Sequence, residues 1–422
     1  MADLSEESGF IGSPVLLIQP SERTLRGLDW LNFFLADVQS SVGPFLVIYL
    51  MSQGWDQQRV GFALAIGVTA GIVAQTPAGI LVDRVRSKRK WIVVAVFGLL
   101  VGAVLIAWSP SFWSVAIAQV MIGGISCLFL PSVCAISLGV VGHERFASRQ
   151  GRNQTCNSIG NVVAAALLGV IGYFISERAI FLCAFIFAIP TLYSLHFIHP
   201  DEICHERARG EMGEEGLACS RSPGEHFRGR SLVIFLICAV LFHFANAAML
   251  PLLGEVLTQG KGRASMIFMS ACVMTPQLVI ALLASWVGRK AKEWGRKPLL
   301  TVAFGILPVR GVLYTLTHRA ELLIAIQILD GICAAIFGVV SVLVIADLTR
   351  GTGRFNLTLG VIATAVGIGA ALSQIAAGTI AHHFGYRLGF LFLAAIASGG
   401  FILFCFFMPE TNLPPAQGVR RP

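Results

Sequence analysis

The chain has 422 residues, 55% of them hydrophobic and only 13% charged, with a mean hydropathy of +0.76 and a formal net charge of +8. Such a composition excludes a soluble multidomain protein of this length. The cations sit in short loops between apolar runs rather than in a folded basic patch, which excludes a nucleic-acid binder.

The apolar residues fall into about twelve runs. Each is long enough to cross roughly 30 Å of hydrocarbon as a helix, the form in which a lipid-embedded backbone pairs its own polar groups. Residues 1–27 begin with Asp3, Glu6 and Glu7 and carry no signal-peptide pattern. Span one, 28–51, holds Asp37 deep in apolar sequence, with Asn32 and Gln39 nearby and Gly43-Pro44 as a bend. An ionisable group there is costly and marks a cavity or a partner. Asp37 either binds a cationic substrate, carries a proton, or contacts a neighbouring helix.

Spans at 59–81, 90–108, 112–138, 152–174 and 179–198 complete a first half, 28–198. A polar, charge-rich linker at 199–230 reads as flexible and cytoplasmic. The second half, 231–409, has spans at 231–253, 265–287, 298–317, 321–346, 356–380 and 387–408, then a tail at 410–422. In its first span His243 and Asn246 are three apart on one helix face before Pro251, either lining a cavity or bonding helix to helix. Gln277 follows Pro276 as a further cavity candidate. Asp330 and Gln327 share a face, and Asp330 either pairs with Arg310 or couples to protons.

Basic clusters follow every second span: Arg84 to Lys90, Arg145 to Arg152, Arg289 to Lys297, and Arg350 with Arg354. This alternation predicts both termini in the cytoplasm. The sequons at Asn153 and Asn356 then face the cytoplasm and carry no glycan. Gly151-Arg152-Asn153 opens span five and Gly353-Arg354-Phe355 opens span eleven, a faint echo between the halves. Arg152 and Arg354 read as anchoring or gating groups. The ten cysteines lie mostly in apolar runs without a C-x-x-C and read as small hydrophobes.

The loop after span two reads Gly79-Ile80-Leu81-Val82-Asp83-Arg84-Val85-Arg86-Ser87-Lys88-Arg89-Lys90. It resembles the conserved G-x-L-x-D-R/K-x-G-R-R/K loop of the major facilitator superfamily. Gly79, Leu81, Asp83, Arg84 and Lys88 match, whereas Arg86 and Ser87 stand where that loop has Gly and Arg. The resemblance implies an all-α membrane fold of twelve transmembrane helices in two six-helix bundles. It also implies a gating role for Gly79, Asp83 and Arg84. Span five lacks the Gly-Pro pair of proton-driven drug exporters.

The expected function is secondary active transport by alternating access, with no enzymatic activity, cofactor or bound metal. No G-x-x-x-x-G-K-[ST] sequence is present for ATP, so an ion gradient supplies the energy. The first reading is proton-coupled efflux of a small amphipathic or cationic compound from a bacterial inner membrane. The alternative is import of a metabolite or a metal chelate such as a siderophore. The expected partners are membrane lipids, a small-molecule substrate and a coupling proton, with the protein a monomer. A membrane enzyme, receptor or channel is the rival class.

Overall fold

The computed structural model describes residues 20–42, 46–211, 225–258 and 264–412. The first half runs through α1 (Glu22–Ser40), α2 (Leu46–Ser52), α3 (Gln57–Arg84), α4 (Lys88–Trp108), α5 (Phe112–Ser126), α6 (Phe129–Phe174) and α7 (Glu177–Phe197). A 3-10 turn at Pro200–Glu202 and α8 (His205–Arg209) form part of the connection. The second half runs through α9 (Glu225–Ala247), α10 (Met249–Thr258), α11 (Ala264–Glu293), α12 (Arg296–Leu313), α13 (Ala320–Leu348), α14 (Phe355–Phe384) and α15 (Tyr386–Phe407). No strand occurs among the described residues.

Side-chain caps mark several helix starts. Ser21, Asp56 and Ser176 accept from the N–H groups of Thr24, Arg59 and Ala179 at 3.2, 2.8 and 3.1 Å. Pro77, Pro190, Pro276 and Pro308 lie inside helices, which membrane helices tolerate when neighbours satisfy the freed carbonyls. Helix α6 is two helices joined at Gly142, whose φ of 68° suits a residue without a Cβ. That break is the expected turn between spans four and five.

Among the described residues, nine helical stretches are long and apolar enough to cross a membrane, and the one at 112–172 contains two of the expected spans. Helices α1 and α12 are not among them. The physical reason is their charge: α1 carries Glu22, Arg23, Arg26, Asp29 and Asp37, and α12 carries Arg296, Lys297 and Arg310. Their packing hides much of that polarity, since Asp37, Arg296 and Arg310 are buried.

Each half has its own apolar core. Leu28, Val96 and Phe181 belong to the first, and Phe235, Phe304 and Phe404 to the second. Val73, Ile189, Leu282 and Phe406 are exposed on the outer surface, as lipid-facing side chains are. The connection departs from a wholly flexible linker. The Cys204 N–H donates to the Gly139 carbonyl at 3.1 Å, and Ala208 is buried beneath α6. Asn153 and Asn356 are also buried, which denies a glycan access to either.

Candidate functional site

The two halves meet along two helix pairs near the basic loops. Small residues set the approach of α6 to α11. A Cβ on Gly151 would lie 2.5 Å from the Ala284 carbonyl oxygen and 3.0 Å from the Gly288 Cα. One turn further, the Thr155 and Ser285 hydroxyls lie 2.8 Å apart. Between α3 and α14, Gly79 leaves no room for a Cβ against the Asn356 carbonyl, nor does Gly360 against that of Gln75. The Thr76 and Thr364 hydroxyls meet there at 2.9 Å. Backbone-close packing of this kind is how membrane helices associate without a hydrophobic driving force.

Asp83 sits at the end of this seam. One carboxylate oxygen accepts from the Asn356 backbone N–H at 3.2 Å and from its Nδ2 at 2.8 Å. The other accepts from the Leu357 N–H at 2.7 Å. The acid of one half therefore caps the first turn of α14 in the other, where the helix dipole favours negative charge. Asn356 Nδ2 also donates to the Ala208 carbonyl of α8 at 3.1 Å. Gly79 and Asp83 are thus brought together with α14, whereas Arg84 and Arg354 are exposed beside the seam.

Arg152 lies within one half. It donates to Asp29 on α1 through Nε at 3.0 and 2.9 Å, and buried Arg149 reaches the same carboxylate at 2.5 Å. Neither Asp29 nor Arg149 stood out as a candidate in the sequence. The signal was an acid two helical turns before Asp37. The second half has a related device at Glu410, whose oxygens accept the N–H groups of Arg296 and Lys297 at 2.9 Å each and cap α12.

Deeper in the helices, Asp37 is 1% exposed, and its Oδ1 has no hydrogen-bond partner among the described residues. Beside it Gly160 packs against α1, and Ser40 donates to Asn161 at 3.0 Å. Asn161 in turn donates to Asn157 at 3.2 Å. These two amides, four apart on α6, are polar neighbours the sequence pattern had not singled out. Asn32 and Gln39 turn back on their own helix, donating to the Leu28 and Leu35 carbonyls at 2.7 and 3.2 Å.

In the second half Arg310 is buried and ion-paired to Asp330. It also donates to Asn246 at 2.5 Å and to the Met249 sulfur at 3.1 Å. Asp330 and Asn246 are therefore joined by one guanidinium. His243 instead packs edge-on against Phe337, with ring centroids 4.9 Å apart. Gln277 is half-buried on α11. Gln327 is buried with its Nε2 unpartnered among the described residues. A groove of about 360 Å3 opens between α3, α5 and α14, lined in part by Gln75, Ser126 and Cys127.

An all-helical membrane protein whose halves touch through a capped, glycine-packed seam belongs to the class of two-bundle membrane carriers. Comparison with known proteins makes this specific. The Major Facilitator Superfamily profile matches residues 30–315 and 235–421, and the chain belongs to that superfamily. It is 42% identical over 400 residues to the uncharacterized MFS-type transporter Rv2456c of Mycobacterium tuberculosis, covering 92% of this chain and 94% of the relative. It is 25% identical over 186 residues to the MFS antiporter QDR3 of Candida albicans, covering 43% of this chain and 26% of that protein. The crystal structure of the human organic anion transporter MFSD10 (TETRAN) superposes with a TM-score of 0.67 at 15% identity, covering 90% of this chain and 99% of that one. The protein is a multi-pass MFS-type membrane transporter, not an enzyme.

Proposed function

We propose that this transporter exports a small amphipathic or cationic compound in exchange for protons, by alternating access, across a bacterial inner membrane. The observation that carries this reading is Asp37. It is a carboxyl buried in α1, with one oxygen that has no hydrogen-bond partner among the described residues. A desolvated carboxyl of this kind takes up a proton on one side and releases it on the other, or gives it up when a cation binds, as its surroundings open and close. Asp330 is less suited, because Arg310 already holds it.

The seam supplies the gate. Asp83 holds the halves closed at the basic face, and breaking its bonds to α14 lets that face open. Arg152 stiffens one half by tying α6 to α1, and Arg354 stands at the mouth. The basic loops favour a cytoplasmic position for this face and for both termini. The antiporter among the relatives favours exchange over import, although it matches less than half of this chain. The protein works as a monomer among membrane lipids.

Proteoliposomes with an imposed pH gradient test the proposal. Asp37→Asn is expected to abolish pH-driven uphill flux of a lipophilic cation. Downhill exchange survives if Asp37 carries only the proton, and binding weakens if Asp37 holds the cation itself. Normal binding and normal pH-driven flux in Asp37→Asn would remove it from the mechanism. Uphill accumulation on the side that releases protons defines export, and the reverse defines import.

A further inference from the structure

Beside the seam, a cavity of about 540 Å3 lies between the α3–α4 connection and the segment around α8. Arg84 at the end of α3, Arg86 in the loop, and Lys88 and Arg89 at the start of α4 line it on one side, and His205 and Arg209 of the connection on the other. Two acids share the wall, Glu206 and Glu211, and Glu211 is paired with Arg209 at 3.1 Å.

Five arginine and lysine side chains thus face two carboxylates. Lys88 is 1% exposed; its ammonium hydrogen-bonds to the Val85 carbonyl at 3.0 Å and to His205 Nδ1 at 3.5 Å, and the charges of Asp83 and Glu211 reach it at longer range. Among the described residues, no carboxylate stands within ion-pair distance of Arg84, Arg86, Lys88 or Arg89. The Nε atoms of Arg89 and Arg209 are buried without a hydrogen-bond partner among the described residues. Burial, with Lys88, Arg86 and Arg209 beside it, holds the His205 imidazolium below its ordinary range. The first turn of α4 lies in the same wall, and its N-cap Ser87 makes no side-chain cap. A cluster of cations that outnumbers the acids in its wall, guanidinium Nε donors without a partner among the described residues, and a helix N-terminus without a side-chain cap are complementary to a multiply charged oxyanion.

We propose that this cavity is a regulatory site for a phosphoryl group carried on a small polar body, and that its occupancy favours the state closed at the basic face. The cavity has room for more than inorganic phosphate, which suits a phosphoester, either a lipid headgroup or a soluble organic phosphate. The coupling follows from what α8 touches. The Ala208 carbonyl accepts from Asn356, and the Gly210 carbonyl accepts from the Gly351 N–H at 2.5 Å. Both donors belong to the second half. A phosphoryl group held by Arg86 and Arg89 on one side and Arg209 on the other ties the α3–α4 loop to that half. It thereby reinforces the contact that Asp83 makes. Binding does not depend on the transport reading, whereas the effect on flux does.

The test uses the full-length protein in two settings. In neutral detergent it is titrated with inorganic phosphate at ionic strength held constant with chloride. In nanodiscs, phosphatidylcholine is compared with phosphatidylcholine plus phosphatidylglycerol. Thermal melting reads binding, and hydrogen exchange at residues 355–360 reads closure. A saturable rise in Tm with slower exchange is expected in at least one setting. Arg209→Gln, and Arg86→Gln with Arg89→Gln, weaken the response about tenfold or more, since each removes a charge-assisted bond. Arg319→Gln, at the opposite end, responds as wild type. A response to free phosphate identifies a soluble ligand, and one confined to phosphatidylglycerol identifies a headgroup. Four results overturn the proposal: no response in either setting, an equal response to chloride, wild-type responses in the arginine variants, or a response only after Glu214→Gln and Glu215→Gln. The last would make the chain's own acids the occupant.

Discussion

Asp83→Asn tests the gate most directly, because the change is nearly isosteric and the bonds it touches are known. The carboxylate accepts three hydrogen bonds from α14, at 2.7, 2.8 and 3.2 Å. The amide keeps one acceptor oxygen but points an NH2 group at an N–H donor. It therefore loses at least one bond to a charged acceptor, worth about 1.5–3 kcal/mol. It also loses the charge at the α14 N-terminus, worth roughly 0.3–1 kcal/mol. Together the closed state weakens by about 2–4 kcal/mol, which changes the closed-to-open ratio by about 30-fold to 1000-fold. Hydrogen exchange in nanodiscs reads this at Asn356 and Leu357, whose N–H groups Asp83 protects. Exchange there is expected to accelerate and transport to slow, with substrate affinity in the competent state little changed. A matching Tm for the first-half core distinguishes gate opening from unfolding. Wild-type exchange at 355–360 together with wild-type flux would refute the reasoning.

Three further outcomes follow from other contacts. Gly151→Ala places a methyl against the Ala284 carbonyl and the Gly288 backbone, neither of which yields cheaply. It should cost the closed seam about 1–3 kcal/mol and speed exchange at 284–290, and unchanged exchange would show that the seam is looser than it looks. Arg310→Gln strands Asp330 and Asn246 and should destabilise the second half by about 3–5 kcal/mol in thermal melting. The double variant with Asp330→Asn should recover part of that loss. For Glu202, burial raises the carboxyl pKa, but hydrogen bonds from Ser21 and Thr24 and nearby His199 outweigh it and hold the group below its ordinary range. A depressed carboxyl contributes stability above its unfolded pKa of about 4.3 and loses it as pH falls through the folded value. The melting difference between wild type and Glu202→Gln should therefore shrink below about pH 4, and a constant difference across that range would reject the assignment.

The sequence by itself determined the helical membrane fold and the family, because both rest on features local in the chain. Apolar run lengths report the hydrocarbon thickness, and Gly79 to Lys90 is a contiguous motif. Sequence also marked Asp37, Asp83, Asn246, Arg310 and Asp330 as unusual, since polar groups in apolar runs are conspicuous. What each one touches was decided only by tertiary structure. Asp83 meets Asn356 and Leu357 across 273 and 274 positions of chain, and no local pattern encodes that distance. His243 and Asn246 share a helix face by spacing, yet one meets Phe337 and the other Arg310, because different helices pack along that face. The basic cavity was invisible for the same reason. Arg86 and Arg89 read as topology signals until the fold of 199–211 set Arg209 and His205 opposite them, turning a charge run into a site with walls.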